Sequence, residues 1–421
     1  MRKQLSFFVV FFSLIAFSYG QEKRIGTIQI YGLKKTKLSV IKSFLKVKTQ
    51  ESLDSVLLHE DVKRLKRIPS ISHAYYKVSE SETGSYRVDY FLEENRTLIP
   101  VVNFWTTTNK QFAYKIGLYE YNFLGRNMTV GGYYQNNGYH SYALNFKAPY
   151  LFSNSLGLAI NHQNWTSEEP LFFDNGSANY KYQNISFETL LLYELNFKNK
   201  LEFGVNYFKE KYQYKNGITS ATIPQELNIN KFLYKFVYSY NNLEYFYQYV
   251  SGFKNQLFVQ MVTTENEFQD DFFIAWNDLF YYKRVGERGN WANRLRAGLS
   301  TNNESPFAPF ALDNNVNLRG VGILVDRGTG SIVYNTEYRH TIYEKGSFVF
   351  QSNVFVDAGT WRKPGGTLSD FTKKENMKLF SGVGLRVINK KIFNAVFRID
   401  YGFELTNGKS KGLVFGIGQY F

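Results

Sequence analysis

The chain of 421 residues carries a formal charge of +14, is 18% aromatic and contains no cysteine. Its mean hydropathy is -0.34, and no apolar run of about eighteen residues follows the N-terminal segment, which excludes a bundle of membrane helices. Disulfides, thiolate metal sites, cysteine nucleophiles and a lipid-bearing cysteine are excluded with the cysteines. Lysine and arginine are spread along the chain without a nucleic-acid motif, so lipid headgroups, not nucleic acid, are the expected partner of the positive charge.

The N-terminus reads as a secretory signal over residues 1–20. Arg2 and Lys3 precede an apolar core from Leu5 to Phe17, and Ser18-Tyr19-Gly20 offers a cleavage site that leaves Gln21 first. Over residues 21–96 the pattern is β-α-α-β-β. Ile28 and Ile30 alternate with polar neighbours in a first strand; Thr36 is placed to cap a helix with Leu38, Ile41 and Leu45 at helical spacing. Leu58, Val62 and Leu65 define a second helix that stops before Pro69, and strands follow with Ala74, Tyr76 and Val78, then Val88, Tyr90 and Leu92, on one face. A generic small α+β domain is the blander alternative for these signals.

After Glu93-Glu94-Asn95 helical periodicity disappears, and residues 97–421 read as about sixteen strands of roughly ten residues separated by polar turns. The runs near 100–107, 154–165, 182–196, 199–213, 229–241 and 411–421 are among them. An even number of alternating strands suits a closed transmembrane antiparallel β-barrel, whose closure satisfies every backbone group in lipid. A barrel wall turns its apolar set outward, so Glu337, Arg339, Asp357, Arg386, Arg398 and Asp400 are expected in the lumen. A soluble sandwich would bury the opposite face.

The segment 301–330 is too long for a barrel turn and contains Leu318-Arg319-Gly320. No enzymatic constellation appears: the five histidines are scattered, and Gly-x-Ser-x-Gly, HExxH and phosphate-loop patterns are absent. The expectation is a non-enzyme without cofactor or metal.

Four stretches occur in a telling order: Asn317-Leu318-Arg319-Gly320-Val321, Phe355-Val356-Asp357-Ala358-Gly359, Gly382-Val383-Gly384-Leu385-Arg386 and Gly416-Ile417-Gly418-Gln419-Tyr420-Phe421. Together they resemble the BamA/TamA superfamily of outer-membrane assembly and secretion barrels. Asn122-Phe123-Leu124-Gly125-Arg126 and Ala148-Pro149-Tyr150 also look like features of that family. The resemblance implies a single POTRA-like periplasmic domain at residues 21–96 and a barrel in the bacterial outer membrane. It implies that loop 301–330 folds into the lumen with Arg319 at its tip, Asp357 as first partner and Glu337 beside it. The blander alternative is that Arg319 is one more lumen charge in a cationic barrel.

The terminal alternation of Leu413, Phe415 and Ile417, ending in Phe421, resembles an outer-membrane insertion signal, from which Gln419 departs. Gly416 and Gly418 either weaken a closing seam or make room for the loop. The function implied is insertion or translocation of polypeptide, in an accessory or specialised role, because the central assembly protein usually carries several POTRA domains. Secretion of one dedicated partner is the alternative, and a passive porin a more distant one. Implied partners are outer-membrane lipids, unfolded outer-membrane or secreted polypeptides, and periplasmic proteins or lipoproteins met through the POTRA-like domain.

Overall fold

The computed structural model describes residues 24–81, 84–106, 112–173, 176–219, 225–264, 270–304, 308–313, 317–322, 326–406 and 410–421. The signal-like segment 1–20 lies outside them. In the N-terminal domain, β1 (Ile25–Tyr31) runs parallel to β3 (Tyr86–Glu94), which pairs antiparallel with β2 (Ile71–Glu80). Helices α1 (Leu38–Phe44) and α2 (Ser55–Leu65) supply Ile41, Leu58, Val62 and Leu65 to a core shared with Ala74, Val88 and Tyr90. Asp54 caps α2 by accepting from the Val56 and Leu57 amides. Asp61 is enclosed in the core, where it accepts from the amides of Lys46 and Val47 and the Tyr90 hydroxyl. Burial nevertheless raises its carboxyl above the ordinary value. Its contribution to stability is therefore fullest in acid and is lost as pH rises through the raised pKa.

Thr36 does not cap α1. The N-cap is Lys37, without a side-chain bond. The Thr36 amide donates to Glu94 at 2.9 Å, and its hydroxyl accepts from Asn122 of the barrel at 3.0 Å. The residue that local pattern assigns to a helix start is used as a tie between domains.

Sixteen strands form one antiparallel sheet in chain order. They begin with β4 (Leu98–Thr106), β5 (Phe112–Phe123), β6 (Met128–Asn136), β7 (His140–Ala148), β8 (Leu156–Phe173), β9 (Gly176–Asn196), β10 (Asn199–Gly217) and β11 (Glu226–Phe246). They continue with β12 (Tyr249–Thr264), β13 (Phe272–Val285) and β14 (Gly289–Ser300). After a short hairpin of β15 (Phe310–Leu312) and β16 (Asp326–Gly328) come β17 (Gly330–Lys345), β18 (Phe348–Arg362), β19 (Met377–Asn389), β20 (Val396–Glu404) and β21 (Lys411–Ile417). Tyr334, Val354, Val356, Phe397 and Ile399 point outward and are exposed, whereas Asn335, Glu337, Arg339, Asn353, Asp357 and Asp400 point inward and are buried. An apolar exterior around a polar interior is stable only in lipid, which makes this a transmembrane barrel.

Strands β8 to β11 run on for 18, 21, 19 and 21 residues, about twice the 9–11 residues that cross a bilayer. Their extra length inverts the alternation: Leu171, Tyr180 and Tyr212 cluster inward, while Lys181, Gln183 and Lys211 alternate with them on the outer face.

The α+β domain is fastened across the barrel turns at one mouth. The Lys37 amide donates to Gly125 O at 2.9 Å. His73 stacks on Tyr247 at 4.8 Å, and Lys63 pairs with Glu244. Arg67 donates to the carbonyls of Phe197 at 3.0 Å and Leu243 at 2.9 Å, with its guanidinium over the Phe197 ring. Gly125, at φ +70°, is required here, because a Cβ would sit 2.3 Å from Lys35 O. Charged donors of the Arg67 kind contribute roughly 1.5–3 kcal/mol per bond. Arg67→Ala is expected to loosen the domain and speed protease cleavage near residues 95–98. An unchanged cleavage rate would show that Arg67 is not part of the latch.

Candidate functional site in the barrel lumen

Inward residues recur every second position, so β17 to β20 present matched rungs to the lumen. Asn335 lies opposite Asp357 and Glu337 opposite Phe355. Phe355 in turn faces Gly382, and Gly382 faces Gly402. Gly382 leaves room for the Phe355 ring, and Gly402 lets the Arg319 backbone approach the wall. Arg319 has no exposed surface.

Its contacts use every available direction. The Arg319 amide and Nε donate to Asp357 Oδ2 at 3.0 and 2.8 Å, and Nη2 donates to Oδ1 at 2.9 Å. Nη1 donates to Glu337. The guanidinium lies 3.6 Å from the centre of the Phe355 ring and 4.4 Å from that of Tyr420. A planar, permanently charged fork suits this combination of bidentate pairing and ring contact, whereas a lysine would lose both. Asn335 braces the pair by donating to Asp357 Oδ1 at 2.9 Å and to Asn317 O at 2.8 Å.

Around this pair the charges form a connected net. Arg339 donates to Glu337 and to the main-chain oxygen of Phe421. Arg386 donates to both oxygens of Asp400, at 2.8 and 3.2 Å, and Arg398 donates to the same carboxylate at 3.3 Å. The four arginines 319, 339, 386 and 398 and the three carboxylates of Glu337, Asp357 and Asp400 are all buried. Removing one partner of a buried pair leaves an uncompensated charge, at a cost of about 3–5 kcal/mol.

The motifs translate into this geometry residue by residue. Leu318 is buried against Leu312, Val321, Val333, Trp361 and Phe380 and holds the loop from the apolar side. Gly320 adopts φ +100° and presses on the Gly402 carbonyl, where a Cβ would come within 2.7 Å. In Phe355-Val356-Asp357-Ala358-Gly359 the odd positions supply ring, carboxylate and clearance. A Cβ on Gly359 would come within 2.5 Å of the Trp361 ring and 3.3 Å of Leu318.

Alternation puts Asn335 and Gly402 on the inward face, but it gives neither of them, nor Tyr420, a part in seating the loop. The part Gly402 plays lies in the space it leaves. A Cβ there would meet Arg319 O at 2.2 Å, a backbone clash that no rotamer relieves.

The C-terminus departs from the expected terminal strand. Strand β21 ends at Ile417. Gly416 packs so closely that a Cβ would lie 2.5 Å from Arg398 Nη2, and Gly418 turns the chain at φ +88°. Tyr420 then packs over Arg319 and Arg398, and Phe421 packs with Leu243, Tyr282 and Ala292 inside the barrel. Phe421 is thus a lumen residue, not an outward ring at the membrane interface. The alternation that carries Leu413, Phe415 and Ile417 outward is broken by the left-handed glycine.

Among the described residues no hydrogen-bonded ladder joins β4 to β21, which stand at the two ends of the sheet order. An isolated bridge between Arg96 and Ile392 lies beside this seam. The barrel is therefore nearly closed, with one unzipped junction between its first and last strands.

Fold and site define a class: a sixteen-stranded transmembrane barrel with an N-terminal α+β domain and an arginine loop docked in its lumen. No protein-family model matches the sequence. The fold is similar to that of BamA from Haemophilus ducreyi lacking POTRA domains 1–3, with TM-score 0.57 and 15% identity over 94% of this chain and 84% of that one. It is also similar to CdiB from Escherichia coli, with TM-score 0.62 and 10% identity over 93% and 75% of the two chains. CdiB from Acinetobacter baumannii gives 0.58 and 12% over 94% and 74%.

Two outcomes test the site. Arg319→Ala and Asp357→Ala should each lower the temperature at which the folded barrel converts to the unfolded gel band, and the double variant should cost less than their sum, by roughly 0.5–3 kcal/mol of coupling. Strict additivity would contradict the pairing. Gly402→Ala should expose the loop to protease as severely as Arg319→Ala does; a wild-type digestion pattern would mean that the Gly320–Gly402 approach is dispensable.

Proposed function

We propose that this protein inserts or translocates polypeptides at the bacterial outer membrane, with the α+β domain serving as a POTRA-like module in the periplasm. The observation that carries the reading is the unzipped seam beside a pinned wall. An unpaired strand edge is a row of free backbone donors and acceptors, and an incoming strand can add to it by β-augmentation. No nucleotide is required: pairing of the cargo's backbone and burial of its apolar face in lipid supply the driving force.

Arg319, held by Asp357 and Glu337, fixes the wall from β17 to β20, so that opening is confined to the junction of β4 and β21. Gly416 lies on β21 at this junction, and Gly418 turns the chain away from it. No ladder bond between β4 and β21 has to be broken for it to open, and β21 is short, only Lys411–Ile417. Secretion of one partner through the lumen is the second reading, and it requires the Arg319 loop to leave its seat.

The test locks the seam. The chain has no native cysteine, so cysteines introduced at Val101 in β4 and Val414 in β21 can be bridged with a short bismaleimide. The bridged protein should lose insertion of a model outer-membrane polypeptide into liposomes while its ion conductance is unchanged. Full activity after complete bridging, with loss on tethering the loop inside the lumen, would sink the lateral route and favour passage through the pore.

A further inference from the structure

The outer face of the tall wall changes character at one level. On β9, β10 and β11 the residues Tyr193, Leu201 and Tyr238 share a rung, and Phe187, Tyr207 and Phe232 share another, with Tyr207 and Phe232 ring to ring at 5.2 Å. Between these rungs the outward positions are Leu191, Phe203 and Phe236, then Thr189, Val205 and Tyr234. Six residue steps separate the bounding rungs, about 20 Å along the strand and about 15 Å of height at a strand tilt near 40°; Leu195, exposed on the same face one rung lower, extends the apolar surface toward the roughly 25 Å band of a membrane barrel. The ring-bearing upper rung has the composition of an interfacial girdle.

Immediately past that rung, away from the α+β domain, the outward positions become Ile185, Lys209 and Asn230, then Gln183, Lys211 and Asn228. The steps to Lys209 and Lys211 are two and four residues from Tyr207, about 7 and 13 Å along the strand and about 5 and 10 Å of height at a strand tilt near 40°. This is headgroup height. The nearest outward carboxylates among the described residues are Glu226, opposite Gln213, and Glu168, opposite Lys181. Both lie one rung beyond Lys211, where Glu168 faces Lys181 and Glu226, diagonal to Lys211, accepts from Gln213; the rungs of Lys209 and Lys211 on β9 to β11 hold no outward carboxylate.

We propose that Lys209 and Lys211, flanked by Asn228, Asn230 and Gln183, form a binding surface for the phosphate groups of glycolipid headgroups in the leaflet on the side away from the α+β domain. The proposal rests on the reading of the chain as an outer-membrane barrel. Lysine ammonium groups at this height meet phosphates without leaving water, and the amide side chains can bond sugar hydroxyls and phosphate oxygens. Lysines free to snorkel from a rigid sheet also keep their alkyl stems on the aromatic rung beneath. The occupant is a lipid and not a soluble anion, because the lysines continue the lipid-facing apolar band without a break. Seated there, such lipids would anchor the tall side of the barrel, leaving bilayer deformation to the low side that holds the seam.

The experiment uses the full chain in phosphatidylcholine nanodiscs doped with diphosphoryl lipid A or with the same lipid stripped of its phosphates, and native mass spectrometry reads bound lipid. Each lysine at a charged surface is worth a factor of about five in affinity, so Lys209→Gln/Lys211→Gln should bind diphosphoryl lipid A ~25-fold more weakly. The phosphate-free lipid should bind wild type and variant alike. Equal affinity of the two proteins for diphosphoryl lipid A would overturn the proposal, as would an equal loss for both lipids. Inorganic phosphate added as competitor should leave the lipid in place; complete displacement would mean a small-anion site and overturn the lipid assignment. Both substitutions are on the surface, and the folded gel band of the variant checks that the barrel is intact. Failure of the wild type to form a folded barrel in the disc would fell the membrane reading instead.

Discussion

A guanidinium with no exposed surface has to carry its counter-charges with it, and this requirement organises the barrel. The Arg319 loop lies on one segment, while Asp357 and Glu337 lie on two neighbouring strands. The pairing therefore cannot form until β17 and β18 are in register. Once formed, it draws the loop against Gly402 of β20, and Asp400 of that strand is held in turn by Arg386 and Arg398. A buried ion network of this kind is weak evidence for net stability, because desolvation offsets much of the attraction. What it enforces is uniqueness: any other register or loop position strands a charge.

The same network gives the two sides of the wall unequal stiffness. From β17 to β20 each rung is tied to its neighbour by backbone ladders and, on the inside, by charged or aromatic side chains. At β21 the ladder with β20 covers only Phe397 to Phe403, and the chain then turns inward at Gly418. Tyr420 takes part in the arginine core from the far side, stacking on Arg319 and Arg398. The residues that would have prolonged the closing strand are thereby spent on the lumen. Loop seating and an unzipped seam are two consequences of one packing arrangement.

Much of this was legible in the sequence, for reasons that differ by region. In β17 to β20 the outward apolar and inward polar residues alternate cleanly, so both strand positions and lumen charges could be read. The two-residue period also carried Phe355, Asp357 and Gly359 to one face. The same rule failed at the tops of β8 and β9. There Leu171, Tyr180 and Tyr182 turn inward under a polar exterior, the reverse of the membrane pattern, so strands read as ending near Trp165 and beginning near Tyr182 extend to Phe173 and from Gly176. Phe421 was misread because periodicity was carried through Gly418, whose left-handed turn no alternation predicts. Thr36 illustrates a third limit: its neighbours favour a cap, but a tertiary partner, Asn122, takes the hydroxyl.

The most direct test is site-resolved amide hydrogen exchange of the protein in a lipid nanodisc. The Arg319 amide, which donates to Asp357, should exchange as slowly as the ladder amides of β17 and β18, while amides on the facing edges of β4 and β21 exchange fastest of the wall. A rapidly exchanging Arg319 amide, or edges of β4 and β21 as protected as the neighbouring strands, would contradict the account of a pinned wall beside an open seam.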